Sequence, residues 1–251
     1  MRRKLVAANW KMNGDKAANS ALLSAFVEGI DTQAMDAVVF PPAVYLDQVA
    51  SALAVSGIRY GIQNVCAADM GAYTGETSLS MVKDFTADYV LVGHSERREM
   101  FADTNAVVVD KVKATLGAGL IPMLCVGETL EQREANQTET VVGGQIKAVL
   151  DAVGIDAFET IVIAYEPVWA IGTGKTASAE QAQAVHAYIR GLLAQASAAV
   201  AQKCRVLYGG SVKAASAQEL FQQPDIDGGL VGGASLLADE FVAICQAAKG
   251  V

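Results

Sequence analysis

Residues 161–177 read IVIAYEPVWAIGTGKTA. The first five are apolar or aromatic and rich in β-branched side chains, as expected of a strand buried on both faces. The run stops on an acid, Glu166, and Pro167, Trp169 and a glycine-spaced segment follow at once. A carboxylate therefore stands at the mouth of a buried strand, below a segment built to move. The same order, an apolar run and then polar residues and glycines, recurs on both sides of it.

Short β-rich runs fall at Lys4–Ala8, Ala37–Phe40, Arg59–Gln63, Tyr89–Val92, Ile121–Val126, Ile161–Tyr165, Arg205–Tyr208 and Gly228–Val231. Most are continuous rather than alternating, the pattern of parallel strands covered on both faces. Between them lie alanine-rich segments of helical period, clearest at Ser20–Ile30, Tyr45–Ser56, Asn105–Ala118, Thr140–Val153, Ala179–Ala199 and Ala214–Phe221. Ser178 stands three residues before Gln181, a capping-box spacing, and Asp103 or Thr104 is placed to cap the helix entering at Val107. Gly117 and Gly154 fall where helices should stop. The alanine-rich Ala194–Ala201 reads as a helix end, and Glu131–Gln137 as solvated surface.

Eight alternations of strand and helix within 251 residues predict an α/β fold. The expected form is a single-domain (β/α)8 barrel over residues 1–251, eight parallel strands surrounded by helices. An open doubly wound sheet is the alternative, but it carries a glycine-rich phosphate turn after its first strand. Here NWKMNG, from Asn9 to Gly14, stands in that place.

The bulk numbers exclude several classes of function. The chain is 52% hydrophobic, yet no stretch approaches the roughly 18 uninterrupted apolar residues of a membrane span. Met1–Lys4 is charged like a signal-peptide start, but the apolar run behind it ends at Ala8, so a cytoplasmic location is expected. A net charge of −8 argues against a nucleic-acid surface. The four cysteines, Cys66, Cys125, Cys204 and Cys245, show no paired short spacing, which disfavours zinc and a disulfide framework.

In such a barrel the reactive face is the carboxyl end of the strands. Asn9 and Lys11 follow the first strand, and Gly93, His94, Ser95 and Glu96 the fourth. Glu166 follows the sixth, Gly209-Gly210-Ser211 the seventh and Gly232-Gly233 the eighth. Any one has a plain structural reading: a solvated lysine, a hydrogen-bonding histidine, a turn glycine. Gathered at the same ends they make a polar pocket with a cation, an imidazole and carboxylates. Glu96 reads as support for Lys11 rather than as a second base. The second histidine, His186, falls mid-helix and reads as structural. Two glycine pairs in adjacent loops let main-chain N–H groups approach a phosphate, and residues 234–236 are placed to add a short helix.

The chain also resembles the triosephosphate isomerase family from end to end. The resemblance lies in NWKMNG from Asn9, GAYTGE from Gly71, VGHSERR from Val92, LCVGE from Leu124, AYEPVWAIGTGKTA from Ala164, YGGSV from Tyr208 and LVGGASL from Leu230. It implies a TIM barrel that interconverts dihydroxyacetone phosphate and D-glyceraldehyde 3-phosphate without metal or organic cofactor. By resemblance Glu166 is the base, His94 the electrophile, Lys11 the facing cation and Asn9 a contact near the reacting oxygen. A glutamate base beside a neutral histidine is a pairing for which this family is itself the standard example. Gly172, Ser211, Gly232 and Gly233 match its main-chain phosphate grip, and Pro167–Ala177 its mobile lid.

Residues 63–76 resemble the loop that inserts into a second subunit, with Thr74 reaching the partner's active site, so a homodimer is implied. Cys66 lies in that loop. Competing functions are another phosphate-binding barrel isomerase, a Schiff-base aldolase acting through Lys11, and a silent barrel kept as a binding protein.

Overall fold

The eight runs form eight parallel strands: β1 Leu5–Asn9, β2 Asp36–Phe40, β3 Arg59–Ile62, β4 Tyr89–Val92, β5 Ile121–Val126, β6 Val162–Tyr165, β7 Val206–Tyr208 and β8 Gly228–Val231. Each pairs with the next, and β8 returns to β1 with Leu5 opposite Gly228, so the sheet closes. The open-sheet alternative is thereby excluded. The computed structural model describes residues 2–171 and 176–249.

Among the described residues eleven helices surround the barrel. They are α1 Lys16–Gly29, α2 Leu46–Leu53, α3 Leu79–Asp84, α4 Ser95–Met100, α5 Asn105–Gly117, α6 Leu130–Glu134, α7 Thr138–Val153, α8 Ala179–Ala196, α9 Ala198–Lys203, α10 Ala214–Phe221 and α11 Ala238–Lys249. The Ser178 and Gln181 capping box opens α8, and Thr104 rather than Asp103 caps α5.

Two expectations are corrected. Glu131–Gln137 is exposed or half-buried, as expected, but it is not all loop, because Thr129 and Gln132 form a reciprocal capping box that starts α6. The alanine-rich end of α8 is broken at Ser197, which is extended and accepts from Val200 N to begin α9. The short helices α3, α4 and α6 span too few residues to display a period, and local caps rather than apolar repeats start them.

Side chains alternate across each strand, so every second residue faces the barrel axis. Leu5 and Ala7 of β1, Tyr89 and Leu91 of β4, Met123 and Cys125 of β5, and Val162 and Ala164 of β6 fill that interior. Their neighbours Val6, Ala8, Val90, Leu124 and Ile163 pack outward against the helices, where Phe26 and Phe241 meet at 4.7 Å between centroids. Each fully buried Val, Leu, Ile, Phe or Met among them contributes roughly 1.5–3 kcal/mol. At the amino end, buried Asp227 accepts from Arg2 Nε at 2.7 Å, Arg190 Nη2 at 2.8 Å and Val206 N at 2.8 Å. Polar chemistry is thus left free to gather at the other end.

Candidate active site

The alternation that fills the barrel also aims the site. Asn9 continues the inward face of Leu5 and Ala7, and Glu166 that of Val162 and Ala164. Gly209 and Gly232 stand in the same relation to Leu207 and Leu230. These residues, with Lys11, His94, Ser211 and Gly233, line one cavity of about 290 Å³ at the carboxyl end of the strands. That is close to the lower bound for small-molecule sites. Gly172 and residues 173–175, the middle of the segment expected to form a lid at 167–177, lie outside the described residues.

Glu166 is 2% exposed. Its Oε1 lies 3.0 Å from His94 Nε2, and its Oε2 accepts from Ser95 N at 3.0 Å. Burial works against the Glu166 charge, but His94, the Ser95 amide and Lys11 outweigh it and hold the carboxyl below its ordinary value. Beneath it the Cys125 thiol is pushed up, by burial first and the Glu166 charge second.

His94 is the N-cap of α4, and its Nδ1 accepts from Glu96 N at 3.3 Å. An accepting Nδ1 requires the tautomer with the proton on Nε2, so the ring donates toward Glu166. Burial opposes an imidazolium, while the Glu166 and Glu96 carboxylates favour one and lift the ring above its ordinary value.

Lys11 adopts a left-handed backbone, φ 52°, and Asn9 Oδ1 accepts its amide at 3.0 Å. This local hook turns the Lys11 side chain back over the barrel, where Nζ meets Glu96 Oε1 at 2.5 Å. Glu96 thus supports Lys11, as the sequence suggests. It belongs to the adjoining cavity rather than to the one holding Glu166.

The loops after β7 and β8 present little side-chain bulk. A Cβ on Gly209 would stand 2.9 Å from Glu166 Cγ, and one on Gly232 would stand 3.4 Å from Lys11 Cε. The turn Gly233–Leu236 is a 3-10 helix beginning at the cavity.

Sequence reasoning leaves Glu128 without a role, although it ends the LCVGE run much as Glu166 ends its own. Fully buried, its Oε1 accepts from Tyr165 OH and Trp169 Nε1, each at 3.0 Å, and from Arg133 Nη1 at 3.2 Å. The Arg133 guanidinium also lies over the Trp169 ring, 4.6 Å from its centroid. The turn Val168–Ala170 is thereby fastened to the residues just beyond β5. Among the described residues no group of three His, Cys, Asp or Glu side chains is placed to hold a metal ion. No described helix is long and apolar enough to cross a membrane.

Comparison with known proteins agrees with this geometry. A family model described as Triosephosphate isomerase matches residues 4–248. A protein of that name from Thiobacillus denitrificans is 59% identical over 248 residues, 99% of each chain. Proteins of that name from Psychromonas ingrahamii and Hydrogenovibrio crunogenus are each 56% identical over 250 residues, covering 99% of this chain. The Psychromonas protein is covered over 100% of its length and the Hydrogenovibrio protein over 99%.

Proposed function

The chain belongs to the triosephosphate isomerase family, and from that membership we propose how its own residues perform the reaction. It is an aldose–ketose isomerase that interconverts dihydroxyacetone phosphate and D-glyceraldehyde 3-phosphate, a glycolytic activity. Glu166 takes a proton from the carbon beside the carbonyl. The electron pair left behind moves into the new carbon–carbon double bond, and the carbonyl oxygen becomes an enediolate oxygen. His94 Nε2–H donates to that oxygen and then carries a proton between the two oxygens. Glu166 returns its proton to the neighbouring carbon.

The observation carrying this reading is the 3.0 Å meeting of Glu166 Oε1 and His94 Nε2 within the cavity that Lys11 also lines. A three-carbon substrate entering there separates the two groups. His94 then loses the Glu166 carboxylate, the stronger of the two that favour its charge, while its burial and the Glu96 amide at Nδ1 remain. Both favour a neutral ring, the form that donates a hydrogen bond without giving up a full proton beforehand. Lys11 offsets the negative charge as it develops. The loops at Gly210-Ser211 and Gly232-Gly233 offer main-chain N–H groups to the phosphate, while Gly209 N is spent on Tyr165 O at 2.7 Å, and the family resemblance assigns Gly172 to the same grip. The lid, 167–177, excludes water from an enediolate that would otherwise eliminate phosphate, a closing motion for which this family is a standing example.

The active form is a homodimer, with residues 63–76 inserted into the partner and Thr74 near its active site. Supporting this are the exposed apolar side chains Met12, 94% exposed, Met70, 82%, and Phe101, 61%. A cavity of about 230 Å³ bounded by Lys11, Met12, Gln63, Glu96 and Phe101 is suited to receive the partner's loop. A cytoplasmic location fits four unpaired cysteines. The deciding experiment is a coupled assay of glyceraldehyde 3-phosphate isomerisation on the wild type and Glu166→Gln. Turnover should fall by about 10²–10⁴-fold in the variant, with a modest change in KM. Turnover of wild-type size in Glu166→Gln would discard the assigned base.

A further inference from the structure

Gln145 lies on α7 and does not line the cavity that Glu166 shares with His94 and Lys11. Its carboxamide nevertheless grips one residue twice. Gly127 N donates to Gln145 Oε1 at 2.8 Å, and Gln145 Nε2 donates to Gly127 O at 3.2 Å. The side chain thus holds this peptide much as a neighbouring strand would, one residue beyond the end of β5.

Both neighbours of Gly127 bear functional parts. Val126 O accepts from Glu166 N at 2.7 Å. Glu128 O accepts from Val168 N at 3.1 Å, and its carboxylate holds Trp169. Gly127 itself lies against the main chain of Glu166, where a Cβ would overlap the Glu166 carbonyl. A second cavity, of about 470 Å³, opens between Gly127, Gln145, Glu166 and Trp169. Close packing does not oppose movement of Gly127 into that space, so a directional restraint has to.

We propose that Gln145 is a positioning residue for the isomerisation. It clamps the Gly127 peptide and so fixes the abutment on which the Glu166 main chain and the first turn of the lid both rest. This rests on reading Glu166 as the base and 167–177 as the lid. The chemistry tolerates little slack, since a displacement of about 1 Å at a reacting group can cost about 10²-fold in rate.

The test uses Gln145→Met, which keeps length and removes both hydrogen bonds, and Gln145→Glu. A glutamate keeps the acceptor for Gly127 N. Ionised, it faces Gly127 O with no proton to donate; protonated, it regains the donor. Gln145→Met should lower kcat about tenfold with KM within about twofold, and raise methylglyoxal formed per turnover several-fold. The kcat of Gln145→Glu relative to wild type should rise as pH falls from about 8 to about 5, while the Met ratio stays flat. A Met variant that melts earlier but turns over like wild type would make the role structural only and overturn the proposal. A Glu ratio independent of pH would overturn it too, and decides alone should the Met variant fail to fold. Glu166→Gln assayed alongside keeps the two readings apart: wild-type turnover there removes the base, whatever the Gln145 variants do.

Discussion

Glu166 Oε1 stands 3.0 Å from His94 Nε2, two side chains from separate strand ends meeting on the barrel axis. Shortening the carboxylate by one methylene, Glu166→Asp, withdraws it by about 1 Å from any substrate carbon. The expected result is a loss of about 10²-fold in kcat with KM little changed, measured by steady-state kinetics in both directions. A loss confined to KM would mean that Glu166 binds rather than reacts.

Gly209 stands beside Glu166, the proposed base. Its absent side chain leaves room for Glu166 Cγ, since a Cβ would approach within 2.9 Å. Gly209→Ala should push the carboxylate off its position and cost about 10-fold or more in kcat while the protein stays folded. Circular dichroism and the coupled assay together check this, and unchanged kcat would show that the site has more slack than the contact implies.

Thr74 is exposed in the single chain, at the tip of the segment proposed to enter a partner. Thr74→Arg brings a bulky cation to a subunit interface whose receiving cavity is lined by Lys11 and Arg97. The added bulk crowds that cavity, and its two cations outnumber Glu96, the carboxylate that pairs Lys11 there. Sedimentation should show a monomer for the variant and the proposed dimer for the wild type, with activity reduced in parallel. A dimeric, fully active variant would place the interface elsewhere.

His186 ties pH to stability. It is fully buried, its Nδ1 donates to Asp225 O at 3.3 Å, and burial pushes it down to about 4. Its folded pKa lies below its unfolded one, so its contribution is complete above about pH 6.5 and is lost as pH falls toward 4. On the order of 2 kcal/mol should be gone by about pH 5. Urea unfolding at fixed protein concentration, at about pH 7 and pH 5, should show a smaller pH dependence in His186→Asn than in wild type. Equal dependence in both would assign the acid sensitivity to other groups.

The barrel was legible because its evidence is local and periodic. Continuous apolar runs mark strands covered on both faces, and a period of two carries Glu166 and Asn9 inward from the residues before them. Caps are local as well, so Ser178 announces α8 without help from the rest of the chain. Where period failed, in α3, α4 and α6, the helices were too short to show one.

Convergence is another matter. That Lys11 reaches Glu96 depends on a left-handed backbone at residue 11, which neither hydropathy nor spacing encodes. The hub at Glu128 and the grip of Gln145 on Gly127 join the end of β5 to α7 and to β6 with the turn that follows it, groups that no single local segment contains. Residue order alone determined which side chains stand at strand ends, since strand alternation is a property of neighbours. Closure of the sheet decided which of those ends face one another, and only the packed barrel sets a hydrogen bond between groups that share no local segment.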